Sequence, residues 1–225
     1  MSLLSRIQQW LNPASAIPVQ WQDIKIKELP LIGIDLELTS LDISTSNITS
    51  IGWVKGQGNC LDLASCHYSV ICTTESLNQS PVIHGLTAET IALGEDVKDA
   101  LQMLIQEAHN HVWVLHNVTL DMGVLFRLIR QFGLTMPPVV TIDTLKLAVY
   151  QLQKQHQMMP PNSATLTVCR QRHDLPLAPA HNALDDAVAT LELLFAQLYQ
   201  LDAKGQITLA DLMHSGAINV HQLNS

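Results

Sequence analysis

The sequence predicts an α/β layered domain around a mixed central sheet, and three observations carry that prediction. From Leu31, three strand-like runs follow one another with only polar turns between them, which suits antiparallel pairing. Beyond them, helical and strand-like patterns alternate, which suits helices packed on a sheet. The chain has 225 residues, 47% of them hydrophobic, enough to bury one sizeable core.

The elements follow in order. Residues 1–28 are of mixed polarity, with Pro13 and Pro18 breaking any long helix, and read as an arm packed on the domain. The strand-like runs are LIGIDLE (31–37), ITSIGWVKG (48–56) and CHYSVICT (66–73). In residues 96–110, Val97, Leu101, Leu104, Ile105 and Ala108 recur at helical spacing, giving one apolar face. VWVLH (112–116) is the next strand, residues 121–133 a helix ended by Gly133, and VVTIDT (139–144) a further strand. Residues 146–155 read as a helix, MMPPNS as a loop and residues 163–172 as a short helix. The longest helical pattern, 183–201, closes a main domain of residues 29–201. The tail, 202–225, is too short for a second domain and shows no obvious clamp- or polymerase-binding element.

Composition narrows the function. Twelve basic against twenty acidic residues give a net charge of −8, which argues against broad adhesion to a phosphate backbone but not against gripping a few nucleotides. No apolar run approaches the roughly 20 residues that span a bilayer, and the first residues lack a secretory core, so the cytoplasm is the expected location. Cys60, Cys66, Cys72 and Cys169 form no C-x-x-C pair. Three of them fall in strand-like sequence, where reduced, buried thiols are expected rather than a zinc site.

The acidic residues are placed less innocently. Asp35 and Glu37 are two apart on a strand, so they project from one face and repel each other unless something cationic lies between them. Asp121 in HNVTLD follows a strand at a helix start, and in HNALDD His181 precedes a helix whose first turn holds Asp185 and Asp186. Acids at helix starts also suit the helix dipole, with Asn117 or Asn182 as caps, so these three admit a structural reading. A central strand offers Asp35 and Glu37 no such dipole.

Taken in order, these pieces resemble the DEDDh family of 3′→5′ exonucleases, which includes DnaQ-like proofreading subunits, RNase T and oligoribonuclease. The first motif is D-x-E, here Asp35 and Glu37 with Thr39 after them. The second is an aspartate after H-N, here Asp121. The third is H-x-x-x-x-D, here His181 and Asp186, a spacing that selects Asp186 over Asp185. IHGLT at 83–87 and IDTLKLA at 142–148 resemble further family segments. Departures are Leu38 for the first motif threonine, Ser40 for a glycine and Leu120 for an aromatic residue.

The resemblance implies an RNase H-like fold and a phosphodiester hydrolase that uses two divalent ions, Mg²⁺ or Mn²⁺, for which hard oxygen ligands are suited. It implies Asp35 bridging the ions, Glu37 and Asp186 completing one site, Asp121 supporting the other, and His181 as general base. Thr39, Leu38, Asn117 and His84 are the implied substrate contacts, although Leu38 and Leu41 also suit filling the rim of the core. The implied partners are 3′ ends of single-stranded DNA or RNA, DNA first, and a polymerase if the chain is a proofreading subunit.

Overall fold

The computed structural model describes residues 16–72, 87–107, 109–155, 160–179 and 181–223. Strands β1 (Leu31–Leu38), β2 (Ile48–Gln57) and β3 (Cys60–Val70) form an antiparallel meander. Gly58 and Asn59 turn β2 into β3, both at positive φ, as the tightest hairpin connection requires. Helices α1 (Ala88–Ala92) and α2 (Val97–Gln106) then lead to β4 (Val112–Leu115), which runs parallel to β1. Helix α3 (Val118–Gln131) crosses to β5 (Val139–Asp143), parallel to β4, and α4 (Thr144–Lys154), α5 (Leu166–Arg172) and α6 (Ala183–Leu201) follow. Helix α7 (Leu209–Leu212) and β6 (Ile218–His221), antiparallel to β5, complete a six-stranded mixed sheet of order β3-β2-β1-β4-β5-β6.

The pleat of β1 sorts its side chains between two cores. Ile32, Ile34 and Leu36 pack with residues of α2 and α3 on one face. Leu31 lies on the other face with Val54, Leu191 and Leu194, against α6. Alternation along the strand therefore sends Asp35 and Glu37 to the α6 face. That helix sits unusually close to the sheet: a Cβ on Gly52 would meet the backbone of Ala183 and Leu184 at 2.3 Å, and one on Gly33 would meet the Ala187 carbonyl at 2.6 Å. Glycine is needed at both positions for this approach.

Several expectations need correction. The third strand begins at Cys60, not Cys66, because the tight turn starts it earlier. It is an edge strand, so Cys60 and Cys66 are exposed, as is Cys72 just beyond it; only Cys169 is buried. The tail after Leu201 is structural: Leu209, Leu212, Ala217 and Ile218 are buried, and β6 covers the edge of β5. The arm needs no such correction: its described part packs on the domain, with Ile17, Trp21, Ile26 and Leu29 in the same core and Ile26 N–H donating to the Ile207 carbonyl at 2.9 Å. Helix α3 starts at Val118, placing Asp121 inside its first turn.

Candidate active site

Strands β1, β4 and β5 are parallel, so their carboxyl ends share one edge of the sheet, where the amino ends of α3 and α4 begin. Asp35 and Glu37 lie near the end of β1, opposite Gly52 and Ser50 of β2. Helix α6 approaches the sheet over Gly52, bringing Asp186 to the same place. Oxygens of Asp35, Glu37 and Asp186 all lie within 4.8 Å of one another, and this is the only such group of metal-ligating side chains among the described residues. Asp186, rather than Asp185, stands in the group.

Asp121 is buried beside these three, outside the 4.8 Å set but near enough to be the strongest charge acting on Asp35. Burial, then the neighbouring Asp121, Asp186 and Glu37, holds the Asp35 carboxyl well above the ordinary range. Burial and Asp186 push Glu37 up to about 7. Asp121 is raised by burial, then by Asp143 and Glu37. Asp186 is raised chiefly by burial, although the His181 N–H donating to its Oδ2 at 3.0 Å pulls the other way. Four carboxyls that resist ionising side by side form a site short of positive charge. Their donor set is all oxygen, which fits hard divalent ions such as Mg²⁺ or Mn²⁺.

His181 is exposed and takes a left-handed backbone conformation, φ 68°, immediately before the N-cap of α6. Asn182 is that cap, its Oδ1 accepting from the N–H groups of Leu184 and Asp185 at 3.0 and 3.2 Å. Asn117 behaves otherwise: it is left-handed, φ 87°, and its side chain makes no capping bond. Asp143 meets other donors at the same helix start. Buried at the end of β5, it accepts from Asn117 and Val118 N–H at 3.3 and 3.2 Å, and from Leu145 and Lys146 N–H at 3.0 and 3.2 Å. One carboxylate thus caps two helices and fixes where Asp121 begins its turn.

Of the remaining expected contacts, Thr39 Oγ1 accepts from Asn47 N–H at 2.9 Å, and Leu38 packs partly buried against the core. Leu41 does not fill the core rim; it is 84% exposed on the loop after β1, where no element covers it. His84 lies outside the described residues. The sequence reading missed Asp143 and Ser50, which is buried opposite Glu37 with a hydroxyl lacking a hydrogen bond among the described residues. It missed Arg170 too, whose guanidinium donates to the Ala189 and Pro176 carbonyls at 2.9 Å and so ties the segment leading to His181 onto α6. Only Asp143 had a signal, as an aspartate at a strand-to-helix junction.

Residues 32–194 match the family model for exonucleases of the RNase T type. The chain belongs to this exonuclease family. A relative within reach of it, the 3′-5′ exonuclease DinG of Staphylococcus haemolyticus, is 25% identical over 186 residues, covering 80% of this chain and 19% of the relative. The chain spans less than a third of the length of the curated relatives it matches. Among solved structures, the exonuclease chain is similar in fold to cell-death related nuclease 4, with a TM-score of 0.67 at 12% identity over 87% of this chain and 81% of that one. It is also similar to exonuclease X in complex with 5′-overhanging duplex DNA, with a TM-score of 0.59 at 20% identity over 81% and 98%. The fold is RNase H-like, as expected. No helix among the described residues is long and apolar enough to cross a membrane.

Proposed function

We propose that this chain is a metal-dependent 3′→5′ exonuclease that releases nucleoside monophosphates from single-stranded or frayed 3′ ends, DNA being the preferred substrate, in the cytoplasm. The observation that carries the reading is the convergence of Asp35, Glu37 and Asp186, with Asp121 beside them, in a chain of an exonuclease family. The DNA held by exonuclease X and the dA16 oligonucleotide held by exonuclease I favour DNA.

In this reading Asp35, Glu37, Asp121 and Asp186 would hold two divalent ions, Mg²⁺ or Mn²⁺, which would supply Lewis acidity to the phosphodiester and a more acidic water. Asp35 and Glu37 contribute from a strand, Asp121 and Asp186 from helix starts, so packing rather than ligand binding sets their spacing. His181 receives the proton of the attacking water on a ring nitrogen; its backbone bond to Asp186 keeps base and carboxylate in step. Thr39, Leu38, Asn117 and His84 would contact the terminal nucleotide.

Matched 5′-labelled DNA and RNA strands test the reading. DNA is expected to shorten stepwise from its 3′ end with Mn²⁺ or Mg²⁺ and to stay intact in EDTA. Internal cuts appearing first would refute it, and faster shortening of RNA would reverse the substrate assignment. His181→Ala is expected to keep metal binding while turnover falls about 10²–10⁴-fold, the usual contribution of general base catalysis. Parental turnover in that variant would assign the base elsewhere.

A further inference from the structure

The loop of residues 39–47 leaves β1 just after Glu37, and α3 holds it at two points. Arg127 Nε donates to the Ile43 carbonyl at 2.8 Å, and one terminal nitrogen donates to the Ser46 carbonyl. The other terminal nitrogen faces Gln131 Oε1 at 3.5 Å. One turn earlier, Gly123 makes room for Ile43, since a Cβ there would stand 2.7 Å from Ile43 Cδ1. The loop is also closed on itself: Thr39 N–H donates to the Asn47 carbonyl, and Asn47 N–H to Thr39 Oγ1, each at 2.9 Å. Helix α3 is the same helix that carries Asp121.

An arginine beside a nuclease site is ordinarily read as a phosphate contact, the more so in a chain of net charge −8. The half-buried Arg127 has its planar fork turned inward onto two loop carbonyls instead. A lysine, a point charge on a flexible stem, cannot reproduce that fork. We propose that Arg127 is a positioning residue that, with the Gly123–Ile43 contact, clamps the 39–47 loop to α3 as a fixed rim for the 3′-terminal nucleotide. The inference rests on the exonuclease reading of the adjacent carboxylates. It separates two tasks on one helix: Asp121 serves the metal site, while Arg127 serves the grip on substrate.

Arg127→Lys and Gly123→Ala perturb the clamp from opposite sides and are the variants to compare with the parent, after melting curves show them folded. Alanine at Gly123 also favours the helix itself, so loss of fold is not the expected result there. Each is expected to raise KM for a 5′-labelled strand about tenfold with kcat and the Mn²⁺ midpoint near the parent's, as when binding is lost equally from ground and transition states. The dependence of log kcat/KM on log salt is expected to keep its slope. Parental KM in Arg127→Lys, or a slope shallower by about one, the mark of a lost phosphate contact, overturns the clamp. If Arg127→Lys does not fold, parental KM in Gly123→Ala overturns it. A parent that never shortens the strand from its 3′ end refutes the exonuclease reading instead.

Discussion

On one pair of strands, Lys55 of β2 stands opposite Ile32 of β1, and Gly52 stands opposite Asp35. Near the first position Glu107 lies 3.0 Å from Lys55 Nζ, so its charge is answered by an ammonium, and 3.0 Å from His111 Nδ1, whose ring is held below its ordinary pKa by burial. At the second, the charges acting on Asp35 are Asp121, Asp186 and Glu37, all anionic. The same sheet therefore builds one acidic position that is electrostatically closed and one that is open. At the first position Lys55 of β2 brings a cation to the carboxylate, and at the second the close approach of α6 over Gly52 brings another carboxylate.

The largest effect is expected from neutralising the open position. Asp35→Asn should lower turnover by about 10³-fold or more, since metal-borne charge stabilisation is worth several kcal/mol. It should also abolish most Mn²⁺-induced stabilisation while leaving the metal-free melting temperature equal or higher. A variant as active as the parent would place Asp35 with Glu107, as framework.

A second way to break the contrast is to fill Gly52. Alanine there collides with the backbone of Ala183 and Leu184, so α6 must move, at a cost of about 1–3 kcal/mol in stability. Titration with Mn²⁺ is expected to show weaker binding, because Asp186 moves with the helix. An unchanged midpoint would show that Asp186 reaches the cluster without that contact.

The smallest effects separate the two acids by pH. Glu37 is raised from an ordinary 4.5 to about 7, so its contribution to metal-free stability is full below about 4.5 and lost as pH rises through about 7. Asp35, Asp121 and Asp186 are shifted in the same direction. The metal-free melting temperature is therefore expected to fall across that window, and Glu37→Gln to flatten the fall. Glu107→Gln should shift stability by about 1 kcal/mol or less and leave hydrolysis unchanged. A steeper fall in Glu37→Gln than in the parent would reverse the assigned sign.

The open position was half legible in the sequence. Asp35 and Glu37 stood out because strand alternation alone puts both on one face, whereas Asp121 and Asp186, at helix starts, had an equally good structural reading and needed their spacing from His116–Asn117 and His181 to be noticed. The fold was legible wherever elements were long and periodic. It was not where burial comes from few residues: β6 is only INVH, with a single buried side chain, and α7 is one turn whose sign was the Thr208–Asp211 capping box. Gly33 and Gly52 carried no readable message, since a glycine in a strand does not say which backbone approaches it. Asn117 misled as a cap because its backbone is left-handed and the carboxyl of Asp143, distant in sequence, instead accepts from the Asn117 and Val118 N–H groups at that helix start.

The docking of α6 onto Gly33 and Gly52 also sets when the site can exist during synthesis. A ribosome-bound chain that has emerged only through α3 already holds Asp35, Glu37 and Asp121, but Asp186 comes with the last long helix. At about 5–20 residues per second, the interval between Glu37 and Asp186 is on the order of ten seconds. Until that helix seats, the growing chain has three members of the carboxylate set and lacks the fourth, so the cluster closes only once translation has passed α6.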